Sequence, residues 1–264
     1  MSINEGMQFD EATVRTLESL YQTQEAATRR RTVLDALKLR LGECILDIGT
    51  GPGFLALEMA GAVGATGQVE CIDESEQMID VALKRCGGKP WVCFRIGSAT
   101  DLAVTSNSCD AVASVQVYEF VTDIEKALAE LHRVLRPGGR AAIVSTDWPS
   151  TAWNSSDPKR MDRILDAFSE HCAHIALPRF ISPMIKAAGF TISKLSVLPQ
   201  FSVTYGLDRF GFQMAGLISS FVPGRRGVTQ EEAAGWLDDL KQIGERGDWF
   251  FNVNQYLFLL EKPA

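Results

Sequence analysis

A short apolar run, Cys44-Ile45-Leu46-Asp47-Ile48, passes directly into Gly49-Thr50-Gly51-Pro52-Gly53 and then into FLALEMAGAV at 54–63. That succession reads as a strand, a glycine loop and a helix. Glycines let the backbone turn sharply and approach a ligand closely, while the helix that follows presents N–H groups without intrahelical partners. Taken alone, G-x-G-x-G is a weak signal. It departs from the dinucleotide fingerprint, which expects a third glycine where this chain has Phe54.

The same rhythm continues downstream. QVECI at 68–72 reads as a second strand, Ser75 to about Lys84 as a helix, WVCFRI at 91–96 as a third strand and CDAVASV at 109–115 as a fourth. Thr122 with Glu125 has the form of a capping box opening a helix with Ile124, Leu128, Leu131 and Leu135; RPGG at 136–139 reads as a turn before a fifth strand, RAAIVST. Strands alternating with helices at this spacing point to a mainly parallel sheet covered on both faces, with ligands beyond the carboxyl ends of the strands.

Upstream, Val14, Leu17, Leu20, Tyr21, Val33, Leu34 and Leu37 recur mostly at helical spacing, as two helices or one interrupted helix. After Asp147 the character changes. DWPSTAWNSSDP reads as a polar loop leading into a helix with Met161, Ile164, Leu165, Phe168 and Cys172. Ser182-Pro183 reads as a cap and first-turn proline, TISKLSVL as a sixth strand, 207–221 and 229–243 as helices, the second capped by Thr229 with Glu232, and WFFNVNQYLFLLEK as a long last strand. The expected organisation is a single domain: a helical cap over 1–43, a cofactor-binding core over 44–146, and substrate-pocket insertions with the C-terminal strands over 147–264.

Charge narrows the partners. With 33 acidic against 26 basic residues and a formal charge of −7, the chain has no general attraction for phosphate backbones or anionic membranes, so neither nucleic acid nor membrane is expected. The one run of cations, Arg29-Arg30-Arg31 followed by Lys38 and Arg40, reads as a solvated helix face. Six cysteines without a C-x-x-C pair read as core-filling free thiols, with no metal site. The polar stretch MSINEGMQFDEATVRT and the lack of an apolar run of spanning length lead to a cytoplasmic expectation. Asp73, just past the second strand, is placed to accept hydrogen bonds from two ribose hydroxyls. It is equally a helix N-terminal residue, since Ser75 and Glu76 follow.

The run ILDIGTGPGFLALEMA, Asp73 with Met78 five residues on, IGSATDL at 96–102, CDAVASVQVYEFVTD and LHRVLRPGGRAAIV together resemble the class I S-adenosylmethionine-dependent methyltransferases. Within these, the chain is similar to the small-molecule branch that includes the ubiquinone and menaquinone C-methyltransferases, over about residues 44–146. The resemblance implies an α/β, doubly wound, Rossmann-like sheet of seven strands, mainly parallel with the last antiparallel, with helical insertions at the N-terminus and after the fifth strand. It implies S-adenosyl-L-methionine as cofactor: Gly49, Thr50 and Gly51 line its methionine, Asp73 binds the ribose, and Glu74 and Met78 flank the adenine. Ser98 stands where the family commonly has an aspartate, which leaves Ser98, Ala99 and backbone groups for the base. Gln116 and Val117 border the methionine, and Tyr21 matches an N-terminal aromatic over the cofactor, a position that core packing explains nearly as well.

The chemistry implied is in-line displacement at a sulfonium methyl, which needs geometry more than a metal. An acceptor hydroxyl or protonated amine would also need a base, for which Glu119, His171 and His174 are the candidates; for both histidines the alternative is a solvated helix-end residue. His132 reads as structural. Two other readings share these residues. A nicotinamide oxidoreductase is disfavoured by Phe54 and by the lack of a Tyr-x-x-x-Lys pair, and a methyltransferase-fold binding protein need not transfer methyl groups at all. An RNA methyltransferase is disfavoured by the acidic balance and by Gln116-Val117-Tyr118-Glu119 where an Asn-Pro-Pro-Tyr-type motif would stand. The expected acceptor is a small molecule, and the expected state a monomer or homodimer.

Overall fold

The computed structural model describes residues 11–264; Met1–Asp10, part of the expected helical cap and of the polar opening stretch, lie outside the described residues. In chain order the elements are α1 (Glu11–Gln22), α2 (Gln24–Leu37), β1 (Cys44–Ile48), α3 (Phe54–Val63), β2 (Gln68–Asp73), α4 (Glu76–Arg85), β3 (Val92–Ile96) and β4 (Cys109–Val115). They continue with α5 (Ile124–Val134), β5 (Leu135–Trp153), α6 (Pro158–Phe168), α7 (Ile181–Ala187), β6 (Thr191–Ser202), α8 (Phe210–Phe221), α9 (Gln230–Glu245) and β7 (Phe251–Glu261). The seven strands form one sheet in the order β3-β2-β1-β4-β5-β7-β6.

β1 pairs in parallel with both β2 and β4, and β2–β3 and β4–β5 are parallel as well. β7 runs the other way. Gly138 and Gly139 early in β5 exchange backbone hydrogen bonds with Lys262, whereas Asn154 after β5 bonds Phe250 before β7, so one strand ascends as the other descends. The doubly wound sheet with an antiparallel strand is the fold expected from the sequence. Strand order reverses between β1 and β4, the crevice where open sheets of this kind bind ligands.

The chain divides into two compact units. One comprises Arg29–Thr146, Ala176–Leu198 and Gln255–Ala264. In it the two-residue period of the strands sorts side chains to opposite faces. Leu46, Ile48 and Val112 join a core with Leu128 and Leu131 of α5 and Ile181 and Ile185 of α7. Ile45, Ala111 and Ala113 join a second core with Val33 and Leu37 of α2 and Ala56, Met59 and Val63 of α3.

The other unit comprises the residues to Thr28, Asp147–Ile175 and Pro199–Asn254. There α8 contacts α1, α6 and α9. Trp153 sits at its centre: the indole N–H donates to the Gly211 carbonyl at 3.2 Å, and the ring meets Trp236 edge-on at 5.4 Å and Phe251 at 4.8 Å. One border, Thr146/Asp147, falls where the sequence changes character.

Several local expectations are corrected. DWPSTAW is not loop: β5 runs through it to Trp153, because Thr151 and Trp153 are buried and Asn254 of β7 pairs with Ser150. RPGG turns within β5 rather than before it. Pairing with β4 jumps from Cys109↔Leu135 to Ala111↔Arg140, and Gly138 takes φ +74°. Asp123, not Thr122, caps α5 by accepting from Lys126 N–H at 2.9 Å, and α7 starts at Ile181, ahead of Ser182-Pro183, with no side-chain cap. Thr229 does cap α9, accepting from Glu232 N–H at 3.1 Å.

All six cysteines are free thiols; Cys71, Cys86 and Cys109 are buried and the other three partly exposed. Among the described residues, no helix is long and apolar enough to cross a membrane. Leu128 has no exposed surface, so Leu128→Ala is expected to lower stability by about 2–5 kcal/mol in urea denaturation, the range for emptying a packed leucine site.

Candidate functional site

The reversal point is built by backbone. Gly49, Gly51 and Gly53 all take left-handed φ, at +68°, +52° and +81°. A Cβ on Gly49 would lie 2.1 Å from Cγ2 of Val117, and one on Gly53 2.8 Å from Cβ of Ala82 in α4. Glycine is therefore required at Gly49 twice over, by torsion and by space. Gly49 and Thr50 N–H both donate to Ile72 carbonyl, at 2.7 and 3.0 Å, which ties the loop to β2. No side chain caps α3, so no side-chain acceptor answers the N–H groups of its first turn. Phe54, in place of a third glycine, carries the Arg85 guanidinium 3.5 Å and the Arg30 guanidinium 5.1 Å from its ring centroid.

Two carboxyl groups flank this turn. Asp47 is buried, and its Oδ2 accepts from the Thr50 hydroxyl at 2.8 Å; burial pushes its pKa up to about 7. Asp73 Oδ2 accepts from Gly51 N–H at 2.8 Å and Oδ1 from Ser75 N–H at 2.9 Å, and burial raises its pKa against the pull of those two bonds. Asp73 thus both pins the glycine loop and serves the start of α4, where Ser75 caps Met78 N–H at 3.3 Å. Glu74 is exposed, whereas the Met78 side chain is buried. Across from them, after β3, Ser98 bonds the Thr100 hydroxyl at 3.1 Å and accepts from Thr100 N–H at 3.3 Å, with Ala99 buried beside it.

The end of β4 supplies the opposite wall. Gln116 is left-handed at φ +59°, and Val117, next in the chain, lies against Gly49. The Gln116 amide is held on both sides: Oε1 accepts from Arg29 Nη1 at 2.5 Å, and Nε2 donates to Thr146 Oγ1 at 3.0 Å. Tyr118 is buried, with its hydroxyl on Ala127 carbonyl at 3.3 Å. Glu119 has no exposed surface; its carboxyl group accepts from the Ser145 hydroxyl at 2.8 Å and Thr146 N–H at 3.3 Å, and burial lifts its pKa to about 7.

Arg29 corrects the expectation of a solvated cationic face: it is 3% exposed, and Arg30 is half-buried with an ion pair to Glu58 at 2.7 Å. The signal was in the periodicity. Ala26, Arg29, Val33 and Leu37 share one helix face, and the other three are fully buried. Thr146 and Gln255, also buried, were not singled out from sequence because neither carries a motif.

Tyr21, His171 and His174 belong to the other unit. Tyr21 is half-buried on α1. His171 is buried rather than solvated: its ring stacks on Phe168 at 4.0 Å, meets Trp148 edge-on at 4.6 Å, and Nδ1 lies 2.6 Å from Phe168 carbonyl. Burial drives its pKa down to about 4, leaving it neutral. His174 is half-buried, and His132 packs edge-on against Phe190 at 5.2 Å.

Residues 46–143 match a family described as "Methyltransferase domain". The 2-phytyl-1,4-naphtoquinone methyltransferase of Nostoc sp. is 37% identical over 112 residues, 41% of this chain and 49% of that protein. The chain spans about half the length of the curated relatives it matches. Among solved structures, the phosphoethanolamine N-methyltransferase 2 of Haemonchus contortus, in complex with phosphomonomethylethanolamine and S-adenosylhomocysteine, aligns at TM-score 0.64 with 19% identity, covering 98% of this chain and 58% of that one. The [4+2]-cyclase SpnF aligns at 0.61 with 20% identity, covering 100% and 89%. At these identities the structures establish the fold alone, a Rossmann-like, doubly wound sheet.

Gly49→Ala is expected to destabilise the protein by about 1–3 kcal/mol through overpacking, and Gly49→Ala/Val117→Ala to recover part of that loss in thermal melts. For Glu119, the folded pKa of about 7 lies above the ordinary 4.5, so its contribution to stability is present below pH 4.5 and lost as pH rises through 7. Stability of the wild type minus that of Glu119→Gln is therefore expected to fall between pH 5 and pH 8 in denaturant titrations.

Proposed function

We propose that the chain transfers the methyl group of S-adenosylmethionine to a small-molecule acceptor, a reading supported by the match of residues 46–143 to a methyltransferase-domain family. The observation that carries this reading is the glycine-rich, left-handed turn at the strand-order reversal, with α3 beginning behind it without a side-chain cap and Asp73 beside it. These groups fit the cofactor: glycine backbone that a ligand can approach closely, helix N-terminal N–H groups that no side chain caps, and a carboxylate with acceptor capacity beyond its bonds to Gly51 and Ser75. When bound, S-adenosylmethionine supplies an electrophilic methyl on a sulfonium.

In this reading Gly49, Thr50 and Gly51 line the methionine end and Asp73 accepts from the ribose. Glu74 and Met78 flank the base, Ser98 and Ala99 with nearby backbone recognise it, and Gln116 with Val117 borders the methionine. These residues orient and exclude water, work that favours an in-line approach of nucleophile to carbon. Of the three candidate bases, Glu119 and His171 are sealed in their own units and hydrogen-bonded there, which leaves the half-buried His174. The reading favours an acceptor that needs little help from a base, such as a free amine, an enolate or a thiolate. The same sealed groups favour a second reading, a protein that binds the cofactor through this site without transferring methyl.

Isothermal titration with S-adenosylmethionine, S-adenosylhomocysteine and NAD tests the proposal: binding of the first two and not NAD is expected, and binding of NAD alone would overturn it. In Asp73→Ala, checked by its melt to be folded, affinity is expected to drop at least about tenfold, the scale of a lost hydrogen bond to a charged group. Unchanged affinity would remove the ribose assignment. Appearance of S-adenosylhomocysteine with an amine, enolate or thiolate acceptor separates transfer from binding alone.

A further inference from the structure

Behind the β4 turn, the buried Arg29, Gln255 and Thr146 and the part-buried Gln116 form a single directional chain of side-chain hydrogen bonds. An arginine can only donate, so both amides beside Arg29 must turn their oxygens toward it: Gln116 Oε1 at 2.5 Å and Gln255 Oε1 at 3.3 Å. Their nitrogens then converge on one acceptor, the Thr146 hydroxyl, at 3.0 and 3.2 Å. Thr146 is tied in turn to Glu119, whose carboxyl group accepts from the Thr146 backbone N–H at 3.3 Å. The order Arg29, paired glutamines, Thr146 leaves no amide free to flip. Such a network is rigid when complete and costly when broken.

What this rigidity holds is the one part-buried non-glycine residue in the left-handed region. The other non-glycine residues with positive φ among those described, Lys38, Asn107 and Arg226, are exposed and lie in turns. For a residue with a long side chain that conformation is strained and persists only where the surroundings enforce it. At Gln116 they do: N–H donates to Val144 carbonyl at 2.7 Å, and both ends of the side-chain amide are tied. The residue that follows is Val117, whose methyl groups press on Gly49.

We propose that Arg29 is a positioning residue for the cofactor site: through Gln116, with Gln255 as a second brace, it holds the left-handed turn that sets Val117 against Gly49. This rests on the methyltransferase reading above, since it gives the turn a cofactor to shape. Arg29 acts on the turn through the glutamines, which separates its role from that of Asp73. Both bonds leave one nitrogen, Nη1, whose planar pair of N–H groups fixes their directions, whereas the ammonium of a lysine at the same place keeps the charge but rotates.

The test measures S-adenosylhomocysteine affinity by titration calorimetry, with melts alongside, for the wild type, Arg29→Met, Arg29→Lys, Gln116→Gly and Arg29→Met/Gln116→Gly. Arg29→Met is expected to lose at least about tenfold in affinity, the scale of a charge-assisted hydrogen bond, and Arg29→Lys to lose less. In the Gln116→Gly background, which sets aside the part of Gln116 itself in the site, Arg29→Met is expected to cost far less, because glycine adopts positive φ without a brace. A merely structural arginine would cost the same in both backgrounds. Affinity in Arg29→Met equal to wild type, or the same loss in both backgrounds, would overturn the proposal. If Arg29→Met fails to fold, wild-type affinity in Arg29→Lys would overturn it, and a loss there supports it. Wild type that binds neither S-adenosylmethionine nor S-adenosylhomocysteine would overturn the methyltransferase reading itself, and this inference with it.

Discussion

Gly49 and Val117 come from two parallel strands whose carboxyl ends diverge into different connections, and yet they touch. β1 continues into α3 and β4 into the loop before α5, and the space between those exits is small enough that one Cβ on Gly49 would fall inside the Val117 side chain. Much else follows from keeping that approach. The glycine loop must be left-handed at three places, its N–H groups must be answered by Ile72 and Asp73, and β1 must lie centrally between β2 and β4. A ligand entering there meets backbone first, which is why residue type matters less on this side than conformation.

Around that contact the interior holds several polar groups that are matched to partners. Asp47 is answered by Thr50, Glu119 by Ser145 and Thr146, and Arg29 by two glutamines. Burying such groups is costly unless each finds its partners. Burial accordingly pushes the Asp47 and Glu119 carboxyl groups toward neutrality. In exchange the strand ends are held in one arrangement, because an apolar contact tolerates sliding and a directional hydrogen bond does not.

The span that matches the methyltransferase family, 46–143, lies wholly within the unit that holds the glycine loop. The aromatic unit, with Trp153 between Trp236 and Phe251 and His171 stacked on Phe168, lies outside that span. Fold similarity reaches further than family similarity here, and it joins this chain to proteins described as acting on different substrates. That is the usual relation between a widely used fold and the sites grafted on it. The acceptor is therefore a question for the chemistry of the chain itself.

Much of the architecture was legible before any coordinates. The short apolar run Cys44-Ile45-Leu46-Asp47-Ile48, the glycine loop after it and the recurrence of strand and helix pointed to a mainly parallel sheet covered on both faces, because these are local signals repeated along the chain. Asp73 and the glycines stood out by their offsets from strand ends, and Gln116 and Val117 through the resemblance to the methyltransferases. The partners were not. Nothing within a few residues of Arg29 says that it meets Gln116 and Gln255, separated from it by 87 and 226 positions. Nor does the sequence around Glu119 say that Ser145 and Thr146 will close over it, or that β5 continues through a segment rich in serine and proline. Those outcomes depend on which elements the sheet brings side by side. The sequence alone determined the elements and the loop, and only the tertiary structure decided which buried charges would be satisfied, because burial and hydrogen-bond partnership are properties of neighbours in space.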